Sequence, residues 1–325
     1  MDRGEQIGDV LRHVGIDARV AAVQPLTGGV SSDIFRVELD DRTVCVKFAI
    51  DQLRVASEWR APVGRSAAEH AWLAFVASAF PGFVPSLLGV DDANHAIVME
   101  FLPPADHPTW KARLLAGDID VAFAGEVGAR LAAIHSRSAI EPRMAERFDN
   151  ADNFASLRLD PYLRFTAARH PDLASQLEAL AAALATARIA LVHGDISPKN
   201  ILCGPKGPVF IDAECATFGD PAFDIAFCLN HLVIKSIVFP SVWLEASAEA
   251  LWTAYRAGID WEPAAAVQAR VARILPALML ARVDGKSPLE YLTPESGDAV
   301  RRIARAVLRG EARVPGGLFI REALA

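Results

Sequence analysis

Apolar positions along the chain change period several times, and each change predicts an element. Over 6–13 they recur at helical spacing, whereas 20–26, 34–39 and 42–48 carry the short alternating pattern of half-buried strands. The third strand, Arg42-Thr43-Val44-Cys45-Val46-Lys47-Phe48, has its apolar alternation broken by one lysine. Helical spacing returns over 66–79, where Ala68, Trp72, Phe75, Val76 and Ala79 share a face and Glu69 stands near the N-terminal end. Loop and strand fill 81–90, and 97–103 is a strand stopped by paired prolines. Helices dominate the remainder. The segment 118–135 turns Val121, Val127, Leu131 and Ile134 inward, 171–188 is an Ala/Leu helix, and further helices follow over 263–280 and 296–309, with breaks at Gly258 and Pro288. Between 141 and 170 the pattern is irregular and predicts an insert without regular structure.

The stretch 191–226, LVHGDISPKNILCGPKGPVFIDAECATFGDPAFDIA, is organised differently. Two apolar runs, Ile201-Leu202-Cys203 and Pro208-Val209-Phe210-Ile211, flank a Gly-Pro-Lys-Gly turn and predict a hairpin. The outer ends of a hairpin meet, so Asp195, Asn200, Asp212 and Glu214 are expected to converge. Carboxylates gathered in one site repel unless a cation stands among them, which points to magnesium. Asp220 before Pro221 predicts the start of the next helix, and Asp224 is a carboxylate on an otherwise apolar stretch.

In this HGD…N, strand, turn, strand, DxE order the chain resembles the aminoglycoside phosphotransferase and choline kinase superfamily, small-molecule kinases with the protein-kinase fold. The match is residue by residue at His193, Asp195, Asn200 and Asp212. The resemblance implies an α+β, two-lobed fold, with an N-terminal nucleotide-binding lobe over 1–103 of antiparallel sheet plus helix and a mainly helical catalytic and substrate-binding lobe over 104–325. It implies that Asp195 accepts the proton of a substrate hydroxyl, that Asn200 and Asp212 hold Mg2+ with Glu214 assisting directly or through water, and that His193 braces the loop. By position, Lys47 corresponds to the lysine that contacts the α- and β-phosphates of ATP, or of GTP. Glu69, with Glu58 as a rival, corresponds to the helix glutamate that pairs with that lysine. The loop carrying Gly28, Gly29, Ser31 and Ser32 stands where backbone N–H groups fold over phosphates, although it lacks the third glycine of the protein-kinase loop. Adenine is expected against Met99 with main-chain bonds from Glu100 and Leu102, and Asp224 is expected to hold the backbone of the catalytic loop. No activation segment or APE motif separates DAE from the next helix, which argues against a protein kinase.

Composition narrows the remaining classes. At 325 residues and 35.0 kDa the chain is long enough for two lobes with a substantial core. It is 52% hydrophobic, yet the best apolar candidate for a membrane span, 231–244, is interrupted by Lys235 and Pro240. With no cationic leader pattern, a cytoplasmic protein is expected. Cys45, Cys203, Cys215 and Cys228 form no CxxC pair and predict buried, reduced thiols. A net charge of −7 without a basic stripe argues against nucleic acid. The first 103 residues hold 9 Lys+Arg against 14 Asp+Glu and the remainder 24 against 26, so the substrate lobe is near neutral. That balance does not advertise a pocket for polycationic aminoglycosides and favours a metabolite or an uncharged hydroxyl compound as acceptor. Arg282, Asp284 and Lys286 read as a solvated connection between helices. A nucleotide-binding pseudokinase or regulatory module is the alternative from another class, opposed by the joint presence of Lys47, Asp195, Asn200 and Asp212.

Overall fold

The computed structural model of the chain describes residues 3–26, 32–50 and 65–312. These fall into two compact units, Met1–Pro108 with Cys203–Glu214, and Thr109–Leu202 with Cys215–Ala325.

The first unit is built on a five-stranded sheet ordered β1-β2-β3-β5-β4, from β1 (Val20–Leu26), β2 (Ser32–Leu39), β3 (Thr43–Ala49), β4 (Leu87–Asp91) and β5 (Ala96–Glu100). Each neighbouring pair is antiparallel. Alternation in β3 places Val44, Val46 and Phe48 in one core with Val37 and Leu39 of β2, and helix α1 (Arg3–His13) closes it with Ile7, Val10 and Leu11. Helix α2 (Arg65–Ala79) buries Trp72, Leu73, Phe75 and Val76, with Trp72 edge-on to Phe210 at 6.5 Å. Strand β5 stops at Glu100, earlier than its apolar run predicts. The prolines at 103 and 104 lack the N–H a ladder needs, and the chain turns there, Asp106 and His107 donating to the Pro103 carbonyl.

In the second unit, β6 (Ala190–Val192) pairs antiparallel with β9 (Thr217–Gly219), clamping together the two ends of the long polar stretch. Between them lies the predicted hairpin of β7 (Ile201–Gly204) and β8 (Gly207–Phe210), and the chain passes into the first unit within β7. Helices α3 (Trp110–Leu115) and α4 (Val121–Ala139) begin with side-chain caps from Thr109 and Asp120. Gly128 of α4 lets the helix Val242–Ala257 approach closely, since a Cβ there would lie 2.1 Å from the Leu251 carbonyl oxygen. The helix Ala222–Val238 is buried from Ala222 through Lys235, the pattern of a central core helix.

Three sequence expectations change. The 141–170 segment is largely helical and includes a π-helix, Ala155–Arg164, whose i→i+5 spacing defeats a search at 3.6-residue period and which accommodates Pro161. Asp220 sits one residue outside the position expected of a cap, with its carboxylate accepting from the Ala222 N–H. The helix Ala264–Asp284, not 231–244, has the length and composition of a membrane span. It buries 67% of its apolar window inside the protein, as a core helix does, and carries Arg270, Arg273 and Arg282. All four cysteines are free thiols, and burial pushes Cys45 up to about 12, away from reactive thiolate chemistry.

Candidate active site

In the first unit, the lysine that breaks the alternation of β3 is the centre of a buried charge cluster. Lys47 Nζ lies 2.9 Å and 2.7 Å from the two carboxylate oxygens of Glu69, 2.5 Å from Asp212 Oδ1 and 3.0 Å from Glu214 Oε1. Arg65, the first residue of α2, donates from Nε to Glu214 Oε2 at 2.9 Å, and the Ser32 hydroxyl donates to Glu214 Oε1 at 2.6 Å. Three carboxylates thus face two cations. Burial opposes the charge on Lys47, but Asp212, Glu214 and Glu69 together outweigh it and hold the ammonium well above its ordinary value. Glu69 is pushed up to about 7 by burial, against the pull of Lys47. Glu214 goes the other way: burial raises it, but Lys47 and Arg65 bring it below the usual carboxylate range despite Asp212.

Asp212 follows β8 in the left-handed region, with φ of 68°, a conformation costly for a residue bearing a Cβ and retained where the surroundings enforce it. Its side chain is 27% exposed, whereas those of Lys47, Glu69 and Glu214 are buried. Oxygens of Glu69, Asp212 and Glu214 lie within 4.8 Å of one another, and such hard donors with surplus negative charge suit a divalent cation such as Mg2+. Met99 is buried on β5, and among the described residues the Leu102 N–H makes no hydrogen bond. The Glu100 carboxylate is engaged by the Ser86 hydroxyl at 2.8 Å. Gly28, Gly29, Ser31 and the rival Glu58 lie outside the described residues.

In the second unit, the segment after β6 is held from below. The Asp224 carboxylate accepts from the N–H groups of His193 at 2.7 Å and Gly194 at 2.8 Å, and it also meets His135 Nε2 at 3.3 Å. His135 is buried about one turn before the end of α4 at Ala139, and its other nitrogen contacts the Tyr255 hydroxyl at 2.9 Å. Gly194 has φ of 79°, and a Cβ there would lie 2.8 Å from the Cys215 carbonyl oxygen, so only glycine fits without displacing backbone. These bonds present Asp195, whose own N–H donates to His193 Nδ1 at 3.1 Å. Asn200 Nδ2 donates to Asp195 Oδ2 at 2.8 Å and to its carbonyl at 3.0 Å. Among the described residues the Asn200 amide oxygen makes no hydrogen bond, which leaves it available to a cation. Arg158 pairs with Asp195 Oδ2 at 2.9 Å and donates to the Gly194 carbonyl, while Lys199 Nζ approaches the same carboxylate oxygen at 3.1 Å. Burial alone would raise Asp195, but Arg158, Lys199 and His193 hold it below the ordinary carboxylate value. It therefore stays ionised at neutral pH, fit to orient a hydroxyl rather than to act as a strong base.

Arg65 and Arg158 carry much of this electrostatics, and neither was singled out from sequence. A signal for Arg65 exists: a cation at a helix N-terminus opposes the macrodipole and implies a carboxylate partner. For Arg158 the only trace is one charge among the apolar Leu157 and Leu159.

The chain is similar to known proteins. The model of the phosphotransferase enzyme family matches residues 22–267. A methylthioribose kinase of Pectobacterium carotovorum is 25% identical over 251 residues, covering 69% of this chain and 62% of the relative. A second methylthioribose kinase, from Pectobacterium atrosepticum, is 26% identical over 225 residues and 56% of its length. The chain thus spans less than two thirds of the curated relatives it matches. Among solved structures, an amicoumacin kinase in complex with AMP-PNP and Ca2+ superposes with a TM-score of 0.62 at 14% identity, covering 95% of this chain and 94% of that one. A choline/ethanolamine kinase family protein from Mesorhizobium loti gives 0.56 at 18%, with 95% of each chain covered. At these identities the structural likeness establishes the fold, α+β with an antiparallel N-terminal sheet, as expected.

Proposed function

The chain belongs to the phosphotransferase enzyme family, and from that premise we propose that it is a cytoplasmic kinase transferring the γ-phosphoryl group of ATP to a hydroxyl of a small molecule. The observation that carries this reading is the Lys47 ammonium held by both oxygens of Glu69 beside Asp212. A lysine so oriented is set to bind the α- and β-phosphates. Adenine would lie against Met99 with main-chain bonds from Glu100 and from Leu102, whose N–H makes no hydrogen bond among the described residues, and the loop of Gly28, Gly29, Ser31 and Ser32 is assigned to the phosphates by its place in the sequence. Asn200 and Asp212 would hold Mg2+, with Glu214 assisting directly or through water. That ion, when bound, neutralises charge on the β- and γ-phosphates.

Asp195 orients the acceptor hydroxyl and takes its proton late. A weak, ionised carboxylate is adequate because the transition state of phosphoryl transfer is loose, and catalysis is mainly positioning and charge neutralisation. Arg158, Asn200 and Asp224 keep Asp195 in place: two bond its carboxylate and the third holds the backbone before it. The test is ATP consumption, with GTP as comparator, over a panel of hydroxylated metabolites and antibiotics, repeated with Asp195→Ala. Turnover is expected to fall by roughly 10² to 10⁴ in the variant with nucleotide affinity retained. Undiminished turnover in Asp195→Ala would overturn the assignment, and tight nucleotide binding with no acceptor consumed would indicate a regulatory module.

A further inference from the structure

Within the second unit lies a cavity, partly open to solvent, that the reaction outlined above leaves unexplained, lined in part by Lys111, Lys199, His231, Lys235, Arg282 and Glu290. Two of its four lysine and arginine side chains have carboxylate partners, Lys199 in Asp195 and Lys111 in Glu290; Lys235 and Arg282 have none among the described residues. Glu290 is committed to Lys111 in an ion pair near the surface. Lys235 is only 2% exposed, and its ammonium has no anionic partner among the described residues, only the Tyr291 hydroxyl at 3.2 Å and the face of that ring at 4.6 Å. Arg282 is buried too. Its Nη1 donates to the Tyr162 hydroxyl and to Ser287, all uncharged, while its Nε has no acceptor. Buried His231 likewise leaves Nε2 without a partner.

Charges taken out of water without a counterion are costly, and a fold keeps them clustered where a ligand supplies the opposite charge. The strain is visible in the neighbours. Burial together with Arg282 and Lys235 drives His231 well below its ordinary value, and burial with Lys111 and Arg282 brings Lys235 down to about 8 despite Glu290. Position ties the cavity to the chemistry. Lys199, on the turn Pro198–Asn200, lines it and reaches Asp195 Oδ2 at 3.1 Å, so the cavity opens one side chain away from the residue assigned to the acceptor hydroxyl.

We propose that this cavity is the acceptor subsite and that it selects an anionic acceptor, a small hydroxylated acid whose carboxylate or phosphate ester is bound by Lys235 and Arg282. The assignment of its hydroxyl to Asp195 rests on the kinase reading; anion binding itself does not. The near-neutral charge of the lobe conceals this preference, because a count over the whole lobe averages away the cations that line this one cavity.

The test uses one carbon frame with four charges: gluconate, glucose 6-phosphate, glucose and glucosamine, titrated calorimetrically into the intact protein and supplied as acceptors with ATP. Binding of gluconate or glucose 6-phosphate at least about tenfold tighter than glucose and glucosamine is expected, and whichever anion gains identifies carboxylate or phosphate ester. Lys235→Met and, separately, Arg282→Gln should abolish that advantage, and Lys235→Arg should restore part of it. Equal or preferential binding of the neutral or cationic sugar, or an anion preference that survives both substitutions, overturns the proposal. The two readings fail separately. Turnover of a neutral acceptor that depends on Asp195 leaves the kinase standing and removes the anionic subsite, whereas anion binding sensitive to Lys235 with no ATP consumed keeps the subsite and removes the kinase.

Discussion

Lys47 Nζ contacts both carboxylate oxygens of Glu69, at 2.9 Å and 2.7 Å, tying the middle of β3 to the first turns of α2. Charge-assisted contacts of this kind contribute about 1.5–3 kcal/mol. Glu69→Ala is therefore expected to lower kcat/KM for ATP by roughly 10- to 100-fold. Steady-state kinetics at varied ATP reads this, and an unchanged value would show that Glu69 does not set the position of Lys47.

Arg65 is the second cation of that cluster, and Glu214 depends on it. Removing Arg65 leaves three buried or half-buried carboxylates facing Lys47 alone among the described residues, so Arg65→Met is expected to destabilise the fold by about 3 kcal/mol, read from denaturant midpoints. Glu214 is held below its reference value of 4.5, so it contributes stability above that pH which is lost as pH falls through its lower folded value. The acid loss of stability should shrink in Arg65→Met.

Asp212, the more exposed carboxylate, is the proposed ligand of the phosphate-bound cation. In the wild-type protein, Mg2+ is expected to tighten nucleotide binding by about tenfold or more, and Asp212→Asn should erase most of that difference. Calorimetry with and without Mg2+ measures it; wild-type affinities that are identical in both conditions would count against the role.

Lys235 should give the protein an unusual alkaline profile. Burial and the charges of Lys111 and Arg282 lower it from 10.5 to about 8, with Glu290 and Cys228 opposing. Between those values the unfolded chain keeps a proton that the folded chain has released, so stability rises with pH across the window, with a slope approaching about 1.4 kcal/mol per pH unit. Denaturation from pH 7 to 10.5 is expected to show the rise in the wild type and a flatter curve in Lys235→Met. Anion affinity should weaken over the same range as the ammonium discharges; His231 stays neutral throughout, and the Tyr291 hydroxyl, raised by burial, does not titrate there.

Some of this was legible in the chain because it is encoded at short range. Alternation over 42–48 and the Gly-Pro-Lys-Gly turn specify strands and a hairpin through local backbone preferences, and the order Lys47, Glu69, His193, Asp195, Asn200, Asp212 carries the family resemblance. Lys47 with Glu69 and Asp195 with Asn200 are each brought together as their positions in that order suggested. The π-helix around Arg158 was hidden because its spacing matches no ordinary period.

What only the tertiary structure decided are the charges brought together from distant positions. Arg65 reaches Glu214 across 149 residues of chain, and Arg158 reaches Asp195 from a segment that read as irregular. Arg282, read as part of a solvated turn, is buried in a cavity with Lys235 and His231. Coulomb interactions and desolvation depend on separation and burial in space, not on order along the chain. A count of charges over a whole lobe averages away the local excess that the fold creates.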